Sequence, residues 1–180
     1  MRVTGGDCRG VPLVAPKGLA TRPTTDRVRE AIFSILASMQ ADLARVLDLY
    51  AGSGALAIEA LSRGADEADL VERASAACAA IRQNLTRTKL AAQATLHCQA
   101  VASVLPRLTR PYSVIFLDPP YTDLSISETL LMLGASSLVA PQTTIVLEHA
   151  ARTPPPARIG TMALHSDRRY GDTGVAFYRG

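Results

Sequence analysis

The chain has 180 residues, of which 48% are hydrophobic and 19% are charged, with a formal net charge of +3. This length suits one α/β domain with a small appendage and leaves no room for a second catalytic domain. No run approaches the length of a membrane span, and residues 1–6 lack an apolar signal-peptide core, so we expect a cytoplasmic protein. Three cysteines without C-x-x-C spacing argue against a disulfide framework and against a bound metal.

The charge is unevenly distributed along the chain. Residues 1–30 carry six Lys/Arg and three Asp/Glu (+3), residues 31–151 carry eight and eleven (−3), and residues 152–180 carry five and two (+3). Basic ends around a neutral-to-acidic middle are typical of a polyanion-binding protein with a small-molecule pocket. Two ordinary solvated termini would give the same counts.

The first predicted elements are a β-hairpin and a helix. Short apolar stretches at 3–4 and 11–14 flank a glycine-rich connector, and such a hairpin must dock on the rest of the protein or on a partner. Thr24 or Thr25 then caps a helix that runs to about Met39. Arg27 and Arg29 near the start of this helix oppose its dipole, which favours an anionic partner there.

From residue 45 the pattern alternates between strand and helix. Strands are predicted at 45–50, 67–72, 93–98, 112–118 and 143–149, and helices at 53–63, 74–88, 100–108 and 125–138. This alternation predicts a parallel sheet covered on both faces, with ligands at the carboxyl ends of the strands. After three prolines, 158–166 and 169–179 are predicted to close the sheet as an antiparallel hairpin.

Residues 46–61 predict a buried strand, a tight glycine turn and a helix. Gly52 and Gly54 would let a ligand approach the backbone and the free N–H groups of the helix. Glu72 stands 18 residues past Gly54, where it can bind two ribose hydroxyls. The turn also fits a dinucleotide, but Asp48 at the strand end suits an amino-acid amine. We therefore predict S-adenosylmethionine as the cofactor, with contacts from Asp48, Tyr50, Ala51, Gly52, Ser53, Gly54 and Glu72.

The tetrapeptide 118–121, Asp-Pro-Pro-Tyr, follows the apolar run 112–117. Asp118 and the carbonyl of Pro119 can accept the two N–H groups of an amine on a flat base, and Tyr121 can stack on that base. Pro119 and Pro120 stiffen the backbone. A plain strand ending in an Asp-Pro turn is the alternative. We predict Asp118, Pro119, Pro120 and Tyr121 as the catalytic residues.

Four segments make the chain similar to the RsmD family: residues 21–33, the glycine turn at 48–54, residues 60–65 and the Asp-Pro-Pro-Tyr motif at 118–121. The resemblance covers essentially the whole chain. It implies a Rossmann-like, seven-stranded, mostly parallel sheet with a C-terminal antiparallel hairpin. It also implies methylation of a guanine N2 in small-subunit (16S) ribosomal RNA, with that RNA, in an assembled or assembling small subunit, as partner.

The same resemblance extends the predicted site. Arg73 would cover the adenine of the cofactor, and Gln99 with the Ala100 N–H would replace an acidic adenine contact found in many relatives. Residues 1–22 are expected to form an RNA-contacting extension of a methyltransferase domain at 23–180. The expected RNA contacts are Arg9, Arg22, Thr24, Arg27 and Arg29, although Thr24 could line the cofactor pocket instead.

Other functions stay open at this stage. An amine-binding motif would serve N6-adenine methylation in DNA or RNA equally well. A non-catalytic RNA-binding assembly factor could retain the same fold, although the intact Asp48, Glu72 and Asp118 weigh against it. A nicotinamide-dependent oxidoreductase is the exception and fails, because the sequence shows neither a second substrate domain nor a proton-relay residue.

Overall fold

The computed structural model describes residues 1–16, 25–120 and 125–180. The helices are α1 (Asp26–Ser38), α2 (Ala55–Ser62), α3 (Ser75–Thr88), α4 (Val101–Val104) and α5 (Ile126–Gly134). The strands are β1 (Arg45–Leu49), β2 (Glu67–Val71), β3 (Ala94–His97), β4 (Val114–Leu117), β5 (Thr144–Ala150), β6 (Arg158–Ile159), β7 (Met162–Tyr170) and β8 (Thr173–Arg179). Across these three ranges no helix is long and apolar enough to cross a membrane.

One sheet runs through the molecule in the order β3-β2-β1-β4-β5-β8-β7-β6. The first five strands are parallel and the last three are antiparallel, with a hydrophobic core on each face. Leu49 pairs with Val71 and Leu117, and Leu117 pairs with Leu147. The parallel strands therefore end at one side of the sheet, here called the carboxyl edge. The predicted α/β architecture is confirmed.

The sheet has eight strands where seven were predicted, because the stretch 158–166 is divided. Gly160 adopts φ 57°, and a Cβ atom on it would collide with the backbone of Gly134. The chain reverses at this glycine, so β6 and β7 become separate antiparallel strands. The turn of the final hairpin lies at 171–172, between β7 and β8, and not between 166 and 169 as predicted. The predicted helix 100–108 also divides, into α4 and a 3-10 turn at Leu105–Arg107, and α5 ends at Gly134.

The N-terminal residues form the predicted hairpin and dock on α2 and α3. Val3 N–H donates to the Val11 carbonyl (3.0 Å) and Leu13 N–H to the Met1 carbonyl (3.0 Å). The side chains of Val3 and Leu13 belong to the hydrophobic core. The expected domain boundary at residue 22 lies outside the described residues.

Glu59, in the middle of α2, is the centre of a buried polar cluster. The Glu59 carboxylate accepts hydrogen bonds from Thr4 N–H (2.8 Å), the Thr4 hydroxyl (2.7 Å), Arg63 Nε (2.8 Å) and Arg29 Nε (3.3 Å). Arg29 is also fully buried and donates to Asp26 (2.8 Å) and to the Arg2 carbonyl. The cluster therefore joins the hairpin, α1 and α2.

We expect Glu59→Gln to lower the free energy of unfolding by about 3–5 kcal/mol, because Arg29 would keep a buried charge with less compensation. Chemical denaturation followed by circular dichroism measures this loss. The matched control is Glu67→Gln, which removes a half-exposed carboxylate paired with Arg45 and should cost at most about 1 kcal/mol. Equal losses in the two variants would contradict the role given to the cluster.

Candidate functional site

Three acidic side chains meet at the carboxyl edge. Glu72 follows β2 and Asp118 follows β4, directly after residues that pair with Leu49 of β1. Asp48 lies one residue before the end of β1. The charges of Glu72 and Asp118 are close enough to act on Asp48. The structure thus brings together the acids predicted for cofactor and base binding.

The glycine turn connects β1 to α2 and is held by Glu72. Gly54 caps α2 with φ 75° and ψ 15°, and a Cβ atom there would come within 3.0 Å of Leu70 Cδ2. Glu72 accepts hydrogen bonds from Gly52 N–H (2.9 Å) and Ala74 N–H (2.7 Å). One carboxylate therefore fixes the turn against the end of β2.

Asp48 is buried and only half satisfied. Asp48 Oδ2 accepts a hydrogen bond from Ala57 N–H (3.1 Å), whereas Oδ1 has no hydrogen-bond partner among the described residues. Burial raises the pKa of Asp48 to about 8, with further contributions from Asp118 and Glu72, against the opposing Ala57 hydrogen bond. A buried acceptor without a partner, in a field of negative charge, suits a cationic amine. Contact of Asp48 with the amino group of S-adenosylmethionine stays a prediction.

Other predicted contact residues shape the turn through their packing. Tyr50 has φ 65°, and its hydroxyl lies 2.9 Å from Thr129 Oγ1 of α5. Ala51 N–H donates to the Val71 carbonyl (3.0 Å), and both Ala51 and Ser53 are buried. Tyr50 therefore links the turn to α5. Contact of these residues with the cofactor stays a prediction.

Asn84 of α3 supports the turn and was missed in the sequence. It is fully buried, and Nδ2 donates to the carbonyls of Ser53 (2.9 Å) and Val14 (3.0 Å). Asn84 Oδ1 accepts from Val14 N–H (2.8 Å). Its position on the apolar face of α3, three residues after buried Ile81, is the signal that could have revealed it.

The residues predicted to contact adenine lie at the surface. Arg73 is exposed directly after Glu72, and Ala100 is exposed at the N-terminus of α4. Gln99 is exposed, and its side-chain oxygen accepts a hydrogen bond from Arg107. The acceptor that an adenine amine would need is therefore engaged, while the amide N–H groups could serve a ring nitrogen. Their contact with adenine stays a prediction.

At the predicted base site, Asp118 is half-buried and Pro119 is buried, whereas Pro120 is exposed. Tyr121 lies outside the described residues. Glu148 of β5 is in register with Asp118, because Leu117 pairs with Leu147. Glu148 is also buried. A second carboxylate therefore lies on the strand next to Asp118.

The expected RNA contacts separate into different environments. The prediction for Arg29 is wrong, because this arginine is fully buried and bound to Glu59 and Asp26. It compensates a buried carboxylate, which explains an arginine in the first turn of a helix. Arg27 is exposed at the start of α1, and Arg22 and Thr24 lie outside the described residues.

Arg9 is exposed, but it lies on the hairpin turn away from the carboxyl edge. The neighbouring Asp7 N–H and Cys8 N–H bond to Ser62, the last residue of α2. The eight residues of α2 span about 12 Å from the glycine turn. The structure therefore does not bring Arg9 to Asp118.

The strand order, the glycine turn after β1 and the acid after β2 define the class I methyltransferase fold. The solved structure of yhhF from Escherichia coli shares this fold, with a TM-score of 0.86, 36% identity, and coverage of 99% of this chain and 96% of that chain. The sequence is 35% identical to YlbH of Bacillus subtilis over 99% of this chain and 98% of that protein. It is 34% identical to ribosomal RNA small subunit methyltransferase D of E. coli, over 99% and 89% respectively.

Residues 1–179 match the model of the family described as Conserved hypothetical protein 95, and the chain belongs to this family. The resemblance to the RsmD family is thereby confirmed.

We expect Asp48→Asn to stabilise the protein in the absence of cofactor, increasingly as the pH rises from 5 to 8. The pKa of Asp48 is about 8 in the folded protein and ~3.9 in an unfolded chain, so wild-type stability falls as pH rises through this window. Asparagine keeps the Ala57 hydrogen bond and carries no charge. Thermal unfolding of both proteins across this range measures the difference.

The same variant should lose pH-dependent cofactor binding. Wild-type Asp48 must release a proton to bind a cationic amine, so its affinity for S-adenosylmethionine should rise about tenfold between pH 6 and 7, measured by calorimetry. Asp48→Asn should bind weakly, with no such pH dependence. An identical pH profile in the two proteins would remove Asp48 from the amine site.

We expect Glu72→Ala to raise the Kd for S-adenosylmethionine by at least about tenfold while leaving kcat at saturating cofactor within a few-fold. The variant loses the bond to Gly52 and the predicted acceptor for the ribose, and both interactions would stabilise the ground state and the transition state equally. Glu72→Gln, which keeps one acceptor oxygen, should give an intermediate Kd. An unchanged Kd in Glu72→Ala would exclude Glu72 from the cofactor site.

Proposed function

We propose that this chain is an S-adenosylmethionine-dependent methyltransferase that modifies the exocyclic N2 amine of a guanine in small-subunit ribosomal RNA. The observation that carries the proposal is the meeting of Asp48, Glu72 and Asp118 at the carboxyl edge. Acceptors suited to an amino-acid amine and a ribose there lie beside an acceptor suited to an aromatic amine. The family match and the similarity to ribosomal RNA small subunit methyltransferase D support an RNA substrate.

In this proposal the glycine turn and two acids hold the cofactor. Asp48 Oδ1 accepts a hydrogen bond from the amino group, and Glu72 accepts from ribose hydroxyls while it keeps its bonds to the turn. The cofactor supplies a methyl group activated on a sulfonium. The protein contributes position, because reactants held in line need no further ordering before reaction.

Asp118 and the Pro119 carbonyl hold the target amine. An aromatic amine is a poor nucleophile because its lone pair is delocalised into the ring. Two acceptors for its N–H groups leave the lone pair directed at the methyl group, and Asp118 stabilises the positive charge that develops on nitrogen. Preorganised groups of this kind contribute about 2–4 kcal/mol each. The released proton passes to Asp118 or to water, and Tyr121 is proposed to stack on the base.

The substrate is proposed to be a folded particle. The guanine must leave its stack, which costs a few kcal/mol and is easiest in an RNA loop. A chain of 180 residues has little surface with which to read a long sequence. An assembled or assembling small subunit would present the base and complete the binding surface.

The function is tested by mass spectrometry of nucleosides from small-subunit RNA. Particles from a bacterial strain that lacks the corresponding gene are analysed before and after treatment with the protein and S-adenosylmethionine. We expect the new nucleoside to be N2-methylguanosine. N6-methyladenosine, or equal activity on duplex DNA, would support the alternative methyltransferase, and binding without methylation would support an assembly factor.

We expect Asp118→Asn to lower turnover by about 10²–10³-fold while leaving the Kd for S-adenosylmethionine within a few-fold. The substitution keeps the shape but removes the charge that opposes the developing ammonium. Single-turnover rates with saturating cofactor measure the effect. Turnover within tenfold of wild type would exclude the proposed role of Asp118.

A further inference from the structure

Three exposed arginines lie together near the end of β7, and we call them the β7 arginine surface: Arg152, Arg168 and Arg169. Arg168 and Arg169 are in the last part of β7, and Arg152 is in the turn after β5. Ala151 N–H donates to the Asp172 carbonyl (2.9 Å), which holds that turn against the β7–β8 turn. Arg168 and Arg169 are consecutive residues of a strand, so their side chains leave opposite faces of the sheet, and the β7 arginine surface extends around this end of β7.

The strand register places this surface on the carboxyl edge. Leu117 pairs with Leu147, Leu147 with Ala176, and Ala176 with Asp167. One residue further along, Asp118 is level with Arg168 across three strand spacings. At about 4.8 Å per spacing, the two backbones are ~14 Å apart. The surface therefore lies beside the proposed base site, unlike Arg9.

The charges of this surface are available for a ligand. Within the part of the chain that the structure describes, Arg152 and Arg168 make no ion pair or hydrogen bond, and Arg169 Nε donates to the Gly171 carbonyl (2.9 Å). The adjacent acid, Asp167, is engaged by His149 Nε2 (3.0 Å). Asp172 is a second nearby acid, so the three arginines and the two acids together carry a formal charge of +1.

The outer side of β7 is also unpaired near these arginines. β6 pairs only with Met162 and Ala163, and the Leu164 N–H donates to the Ala157 carbonyl (2.9 Å). Among the described residues, no strand pairs with the outer edge of β7 beyond this point. Backbone N–H groups and arginines together are the donors that proteins use for phosphate contacts.

We propose that the β7 arginine surface binds phosphates of the RNA strand that flanks the target guanine. The inference rests on the proposed function, because it assumes an RNA base at Asp118. Charge complementarity favours a nucleic acid over a protein strand added to the β7 edge, since such a strand would not need three arginines at one end. RNA that reaches Asp118 would follow the carboxyl edge towards β7.

The test is the double variant Arg152→Gln/Arg168→Gln, assayed with RNA and particles from the deletion strain. The loss of two phosphate contacts should lower the slope of log affinity against log salt by about 1.4, at ~0.7 per phosphate for single strands. The KM for RNA should rise about tenfold, with kcat and the Kd for S-adenosylmethionine unchanged. The matched control is Lys89→Gln/Arg110→Gln, which removes two exposed charges outside the carboxyl edge and should leave the slope unchanged.

An unchanged slope, or an equal loss in the control, would overturn the inference. Weaker binding to particles with an unchanged slope on free RNA would also overturn it, because β7 would then contact a ribosomal protein. Failure of the wild-type protein to methylate any small-subunit RNA or particle would instead overturn the proposed function. The two failures are therefore distinguishable.

Discussion

The buried carboxylate of Glu59 fixes the position of the helix on which the site is built. All eight residues of α2 are buried, so this helix has no solvent-facing side on which a charge could be hydrated. Arg29, Arg63 and Thr4 compensate the charge from three different parts of the chain. A buried ion pair adds little net stability, but each partner becomes dependent on the others. These contacts therefore set the direction of α2 and the position of its N-terminus at Gly54.

The burial of Asp48 is unfavourable for the stability of the protein alone. Asp48 is buried near two other acids, and its raised pKa reflects the unfavourable environment of its charged form. Glu72 and Asn84 hold the glycine turn in place, so the site does not relax around Asp48. A cationic amine would supply the missing partner. Functional sites often contain residues that lower the stability of the protein, because those residues are needed to bind a ligand in a fixed geometry.

Basic residues that are close in the sequence do not form one surface in the fold. Arg29 is paired with the buried carboxylate of Glu59. Arg9 lies in the hairpin, which packs against the C-terminal end of α2. Arg168 lies about 140 residues from Arg27 in the chain, yet the antiparallel return of β7 brings it level with Asp118. The proposed path of RNA therefore uses arginines of the basic C-terminal segment, which the strand register places level with Asp118, and not Arg9 or Arg29 of the basic N-terminal segment.

The sequence by itself determined the local features of this protein. The periodicity of the apolar residues predicted the parallel strands, and the glycines and acids at strand ends predicted where a ligand could bind, because both depend on neighbouring residues. Only the tertiary structure decided that Gly160 divides a strand, since its constraint is contact with Gly134 on α5. The burial of Arg29 and the use of Asn84 as a support for the turn also depend on residues far away in the chain. A polar side chain looks the same in sequence whether it meets solvent or a buried partner, and only the packed fold distinguishes the two.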